Sequence, residues 1–408
     1  MTKEELIKTA AFLLDKIDKR SGSANEIIGK YTATHKYISG DARKELLNLV
    51  WALIRHKARL EFLCPLASWN EKASFFLSVQ AQNKKKSDNE TDIVMSQRCE
   101  KGVGKNIQTG SSDEAFDGDA FKDFETFDLP SLKAAPDEVK WEVPAWIVSH
   151  IPDAVNELPL LKNNAPIVLR ANGNRDEIMQ ELLKEGIEVY KTNHSIYGLI
   201  LKKYQNLTDT RFYKKGLIEI QDEGAQMVAL DIGVKPRESV FDFCAGAGGK
   251  TLIFAQMMQN KGFIQAYDAL PKRLFELIKR ARRAGISIVK TVTRLPKPDK
   301  KFDHVVVDAP CTGTGTWRRM PDMKWKLNEK QLKKTVQLQS EILNRAAQYV
   351  KPGHILSYIT CSLTVDENEA QVEDFLASHP RYKKIMEKRY SPYRTGTDGF
   401  YLCMMQRR

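Results

Sequence analysis

Apolar residues recur at three- and four-residue spacing through the first 65 positions: Leu6, Ala10, Leu13, Leu14 and Ile17, then Leu46, Leu49, Val50, Leu53, Ile54 and Leu60. That period predicts amphipathic helices. From about residue 80 to 130 the pattern fades. KKKSDNETD, VGKNIQTGSSDE and FDGDAFKDFETFD are polar and charged, the composition of a linker or insertion. Order returns near WEVPAWIVSHI (141–151). APIVLRAN (165–172) reads as a strand, RDEIMQELLKEG (175–186) as a helix ended by Gly186, and IEVYKTN and IYGLILKK as two further strands. One helix on a small antiparallel sheet is expected there.

Beyond Gly216 strands and helices alternate. SVFDFC (239–244), GFIQAYD (262–268), SIVKTV (287–292), FDHVVVDAP (302–310) and GHILSYITCS (353–362) are apolar runs of strand length, with helical patterns at 250–260, 271–284, 328–350 and 364–377. Strands apolar on both faces and alternating with helices predict an α/β fold with a doubly wound parallel sheet. Thr364 and Glu367 have capping-box spacing for the last helix. Ligands in such folds lie at the carboxyl ends of the strands, which directs attention to residues 242–250, 268, 308–311 and 360–362.

Composition narrows the class. The 408 residues suffice for two or three domains, and 42% hydrophobic with 9% aromatic residues is a globular composition. No apolar run reaches the ~18 residues of a membrane span, and MTKEELIKTAAFLLDK lacks a signal-peptide pattern, so a cytoplasmic protein is expected. Six cysteines without CxxC or disulfide-like spacing point to a reducing compartment and away from a zinc ribbon; no metal is expected. A net charge of +12 favours polyanionic partners, with a merely solvated basic surface as the plainer alternative.

The strand ends carry the chemistry. FDFCAGAGGKT (241–251) is a strand entering a glycine-rich turn and a helix; Gly246, Gly248 and Gly249 let backbone approach a ligand. Asp268, ending the next strand, is placed to accept hydrogen bonds from a ribose. NAD, a nucleotide and S-adenosylmethionine all satisfy that pair of features. Cys311 follows the fourth strand and Cys361 ends the fifth, so both belong at one rim. They lack the further ligands a metal needs, and a lone strand-end thiol is more often a small buried hydrophobe. Two thiols beside a ligand turn, one adjoining Asp308, Ala309 and Pro310, suit methylation of cytosine at C5. A thiolate added to C6 makes C5 nucleophilic; a carboxyl group at Asp308 can relieve charge at N3 and N4. A second thiol can assist release, and Lys250 or Arg318 can favour the thiolate.

DFCAGAGGKT, DAPCTGTGTWRRMPDMKW and YITCSLTVDENEAQVEDFL resemble, in order and spacing, the three signatures of S-adenosylmethionine-dependent RNA (cytosine-5)-methyltransferases, most closely their Sun-type branch. QDEGAQ (221–226) and TDGFY (397–401) resemble further family elements, and the likeness spans roughly 140–408. It implies a class I (Rossmann-like) methyltransferase domain at 216–408, a small RRM-like α+β domain at 141–215, a polar linker or insertion at 76–140 and a partial NusB-like, RNA-binding helical region at 1–75. By the same resemblance Cys361 is the nucleophile and Cys311 assists release, the reverse of DNA cytosine-5 methyltransferases, whose nucleophile lies in a Pro-Cys.

The cofactor set is Cys244, Ala245, Gly246, Ala247, Gly248, Gly249, Lys250, Asp268, Arg273 and Asp308. Trp317, Arg318, Arg319, Lys324 and Trp325 suit phosphate contact and base stacking. The loop reads CAGAGGK where CAAPGGK is commonest, and KTVTR (290–294) has no acid to meet the adenine amino group. The implied activity is methyl transfer to C5 of a cytosine in RNA, rRNA first and tRNA second, by a monomer. A methyltransferase with another target, and a non-catalytic RNA-binding or ribosome assembly factor, are the alternatives.

Overall fold

The computed structural model describes residues 1–19, 23–35, 38, 40–85, 130–299 and 301–408, and the chain divides into two compact units. The first comprises residues 1–148, 158–163 and 319–327. Its helices Lys3–Lys19, Ala24–Thr34, Gly40–Arg55, Lys57–Leu63 and Trp69–Lys85 bury the stripes that the periodicity marked, with Leu13, Leu46, Leu49, Val50 and Leu53 fully enclosed. Phe76, Leu77 and Val79 join this core, so the helix runs past the boundary expected at residue 75. A buried apolar face overrides the polar composition that follows it. The polar stretch itself, 86–129, lies outside the described residues. Residues 137–141 are already helical again, before the expected domain start at 141.

The helix Pro321–Lys326 also belongs to this unit. Trp325 packs against the helical core and its Nε1 donates to the Ile54 carbonyl at 3.1 Å, while Asp322 Oδ2 accepts the Ala24 amide at 2.9 Å.

The second unit holds two sheets. Strands β1 (Val168–Ala171), β2 (Val189–Lys191), β3 (Gly198–Leu201) and β4 (Ile218–Ile220) pair antiparallel in the order β2-β3-β1-β4. The helix Arg175–Lys184, capped by the Asn174 side chain, accompanies them. The small domain therefore extends past residue 215, because β4 pairs with β1; three residues are too few to show an alternating pattern.

The large sheet has β5 (Ser239–Asp242), β6 (Phe263–Tyr267), β7 (Val289–Val292), β8 (Phe302–Asp308), β9 (Val350–Thr360), β10 (Tyr382–Tyr390) and β11 (Phe400–Arg407), in the order β10-β11-β9-β8-β5-β6-β7. Strands β5 to β9 are parallel, and β11 runs antiparallel between β9 and β10. This is a Rossmann-like sheet. Phe241, Val305, Val306, Val307, Leu356 and Tyr358 are buried, as apolar strands covered on both faces require. The chain leaves β5 toward β6 on one side and returns to β8 on the other. That reversal opens a crevice at the carboxyl ends of β5 and β8. No helix among the described residues is long and apolar enough to cross a membrane.

Candidate active site

The turn after β5 is built by its glycines. Gly246 has φ +54° and Gly248 φ +87°, and a Cβ on Gly248 would stand 2.2 Å from Leu277 Cδ1, so this position admits glycine only. The helix Gly249–Met257 starts here and presents its first amides to the crevice. The loop is held from several sides: Ala245 donates to the Tyr267 carbonyl at 2.9 Å, Arg280 to the Ala247 carbonyl at 2.7 Å, and buried Arg170 to the Gly249 carbonyl at 3.1 Å. Asp268 lies just past β6, nearly buried. Its Oδ2 accepts the Gly246 amide at 2.9 Å and its Oδ1 the Leu270 amide at 2.8 Å. Arg273 approaches Oδ2 at 3.9 Å but is largely exposed.

These residues fit S-adenosylmethionine. Each Asp268 oxygen keeps lone-pair capacity for a ribose hydroxyl. A Cβ at Gly246 would lie 4.0 Å from that carboxylate, an ordinary contact, so it is the positive φ that favours glycine there. Cys244 is a neutral wall, its thiol pushed up first by burial and then by the charge of Asp242. Asp242 is itself pushed up to about 7 by burial, against the hydroxyl of Thr251, which donates to it at 2.6 Å.

The two sequence-singled thiols meet at the neighbouring rim. Cys311 Sγ and Cys361 Sγ lie 3.1 Å apart, and the Cys361 amide points at Cys311 Sγ at 3.3 Å. Cys311 is pushed well above the ordinary thiol range by its hydrogen bond to Cys361, then by burial. Lys250 Nζ reaches Asp308 Oδ2 at 2.7 Å and lies 5.2 Å from the Phe400 ring centre. Burial pulls the Lys250 ammonium down, but Asp308 and then Cys361 outweigh it, leaving the group raised and firmly cationic beside the thiols.

Several supports were not legible as such. Gly315 donates to the Cys361 carbonyl at 3.0 Å and accepts from the Gly399 amide at 2.8 Å; a Cβ on Gly315 would lie 2.5 Å from the Gly399 oxygen. The Thr364–Glu367 pair is not a helix cap. The last helix of the parallel layer is Glu369–Ser378, preceded by Asn368, and Thr364 and Glu367 are both wholly buried beside the cysteine loops. The spacing fitted a local motif, and Thr364 does donate to Glu367, but Thr312 and Gln339 reach the same carboxylate from two remote segments of the chain.

The expected RNA-facing set needs correction. Trp317 is fully buried, and Arg318 is buried with its guanidinium on Asp398 and on the Gly396 carbonyl. Lys324 is fully buried and pushed down to about 7 by burial, with Glu142 its nearby counter-charge. Trp325 is packed as described above, and Arg319 is half-buried. Basic residues in a Thr/Gly-rich stretch looked exposed because their acidic partners, Asp398 and Glu142, are remote in sequence.

Comparison with known proteins gives the family and the fold. The family model described as 16S rRNA methyltransferase RsmB/F matches residues 229–406. The protein named probable ribosomal RNA small subunit methyltransferase B of Bacillus subtilis (strain 168) is 31% identical over 318 residues, 69% of this chain and 71% of its own length. The crystal structure of PH0851 is 25% identical, covers 100% of this chain and 99% of its own, and superposes with a TM-score of 0.73. NSun6 from Pyrococcus horikoshii with SFG shares the fold at 19% identity and a TM-score of 0.59, over 68% of this chain and 99% of its own. The chain belongs to the RsmB/F family of RNA methyltransferases.

Proposed function

We propose that the protein methylates C5 of a cytosine in RNA, ribosomal RNA first, through a covalent adduct between Cys361 and C6 of the base. The observation that carries this reading is the 3.1 Å separation of the two thiols beside the Lys250–Asp308 pair. The Lys250 ammonium stands by to offset negative charge on the Cys361 sulfur as it attacks, and the Cys311 S–H can donate to that sulfur until then. Addition to C6 gives C5 the electrons it lacks in the aromatic ring. S-adenosylmethionine supplies the electrophilic methyl group. Asp308, at the tip of β8, is the group to hydrogen-bond the base as negative charge develops on it. Loss of the C5 proton then allows the Cys361–C6 bond to break, with Cys311 assisting departure of the thiol. The target base has to leave its stack, since attack on C6 needs an open ring face.

The test is a denaturing gel of wild type, Cys311→Ala, Cys361→Ala and the double variant after expression in bacteria. An RNase-sensitive retarded band confined to Cys311→Ala supports the assignment. A band confined to Cys361→Ala reverses the two roles. Absence of any band, together with methylated RNA from wild type lacking 5-methylcytosine, refutes the reading.

A further inference from the structure

The two cysteine segments are held from behind by one wholly buried carboxylate, Glu367. Its Oε1 accepts the Thr312 amide at 2.8 Å and the Gln339 side-chain amide at 3.0 Å. Its Oε2 accepts the hydroxyls of Thr312, Ser362 and Thr364, the last at 3.0 Å. Thr312 and Ser362 directly follow Cys311 and Cys361. Gln339 also donates to the Pro310 carbonyl at 2.9 Å, on the other side of Cys311. The peptide oxygen of Glu367 accepts the Tyr358 hydroxyl at 2.8 Å, which fixes the residue against β9.

Burying a carboxylate costs more than filling the same space with an apolar or amide side chain. The Thr312 and Gln339 amides on Oε1 can only donate, while the hydroxyls on Oε2 can donate or accept, so a glutamine here removes the carboxylate yet can keep the bonding pattern.

We propose that Glu367 is a positioning residue of the methyl-transfer site, a single buried anion that ties the loop after Cys311 to the strand end after Cys361 and so fixes the separation and orientation of the two thiols. The inference rests on the thiol roles proposed above and adds the group that enforces them. The charge of Glu367 is among the causes that push Cys311 up, after its hydrogen bond to Cys361, burial and the charge of Cys361.

The experiment compares full-length wild type, Glu367→Gln and Thr312→Val. Iodoacetamide alkylation of each cysteine is followed by mass spectrometry as a function of pH, with S-adenosylmethionine binding as the check on folding. In Glu367→Gln the Cys311 profile is expected to move down by roughly one pH unit, since a nearby like charge has been removed. The preference for Cys361 over Cys311 should shrink about tenfold, as one unit implies. Methyl-transfer kcat should fall by about 10²-fold or more with KM for the donor little changed. Thr312→Val should narrow the same preference to a smaller extent.

Unchanged alkylation profiles in Glu367→Gln with donor binding intact would overturn the proposal even if activity fell, leaving Glu367 a structural filler. Where Glu367→Gln fails to bind the donor, Thr312→Val decides by the same criterion. Alkylation needs no RNA. A wild type that makes no 5-methylcytosine therefore defeats the cytosine reading, while the alkylation profiles still judge this one.

Discussion

The ammonium of Lys250 lies 2.7 Å from Oδ2 of Asp308, tying the first turn of the helix after the glycine loop to the tip of β8. Lys250 is nearly enclosed and Asp308 is one-third accessible, so the pair presents its carboxylate and keeps its cation inside. Lys250→Met is expected to lower single-turnover methyl transfer by about 10²- to 10³-fold, the range for removing a group that stabilises developing charge. Donor binding measured by calorimetry should change far less. A Lys250→Met enzyme with wild-type turnover would remove the lysine from the reaction.

Lys324 supplies a pH signature of the helical unit. Its folded value is about 7, against an ordinary 10.5, with burial the first cause. Between those values the unfolded chain binds a proton that the folded chain does not, so the stability contributed by this residue rises with pH across that window. Below about 7 the folded state must carry a buried charge. Lys324→Met should therefore raise the thermal midpoint at pH 7 by at least about 2 °C. The gain over wild type should vanish toward pH 10. A constant difference across that range would show that Lys324 does not titrate in the fold.

Arg318 separates a structural cation from an RNA contact. Its guanidinium sits on Asp398 and lies 3.9 Å from Asp222, all three nearly buried. Arg318→Ala is expected to cost about 3–5 kcal/mol in denaturant unfolding, because two carboxylates lose their partner. The dependence of RNA affinity on salt should keep its slope. A slope smaller by about 1 would instead identify a phosphate contact.

Gly248→Ala tests the donor loop. The methyl group would need φ +87° and would meet Leu277 Cδ1 at 2.2 Å, so the loop or the Leu277 side chain has to shift. S-adenosylmethionine affinity measured by calorimetry should weaken by about tenfold or more, roughly 1.4 kcal/mol. Unaltered affinity would mean that the loop does not shape the donor site.

The parallel sheet, its helices and the crevice were legible because strands β5 to β9 are apolar on both faces and separated by helix-period segments. The glycine turn, Asp268 and the convergence of Cys311 with Cys361 followed from strand order alone. What stayed hidden depended on partners remote in sequence. Strand β10, YKKIMEKRY, carries too many charges to read as a strand, since it lies at the sheet edge and is largely exposed. Trp317, Arg318 and Lys324 read as surface residues until Asp398 and Glu142 were brought beside them. Thr364 and Glu367 fitted a three-residue cap, and only the fold brings Thr312 and Gln339 to the same carboxylate.

The helix Pro321–Lys326 constrains how such a protein can be recombined. It completes a helical core otherwise made by the N-terminal residues, through Trp325 on the Ile54 carbonyl and Asp322 on the Ala24 amide. Exchanging residues 1–148 for a foreign module would strand that helix and its buried lysine. A viable chimera has to replace residues 1–148, 158–163 and 319–327 together, the last of these beginning eight residues after Cys311. The N-terminal unit is therefore not a detachable cassette, and a new one is inherited only with a matching insert in the catalytic half.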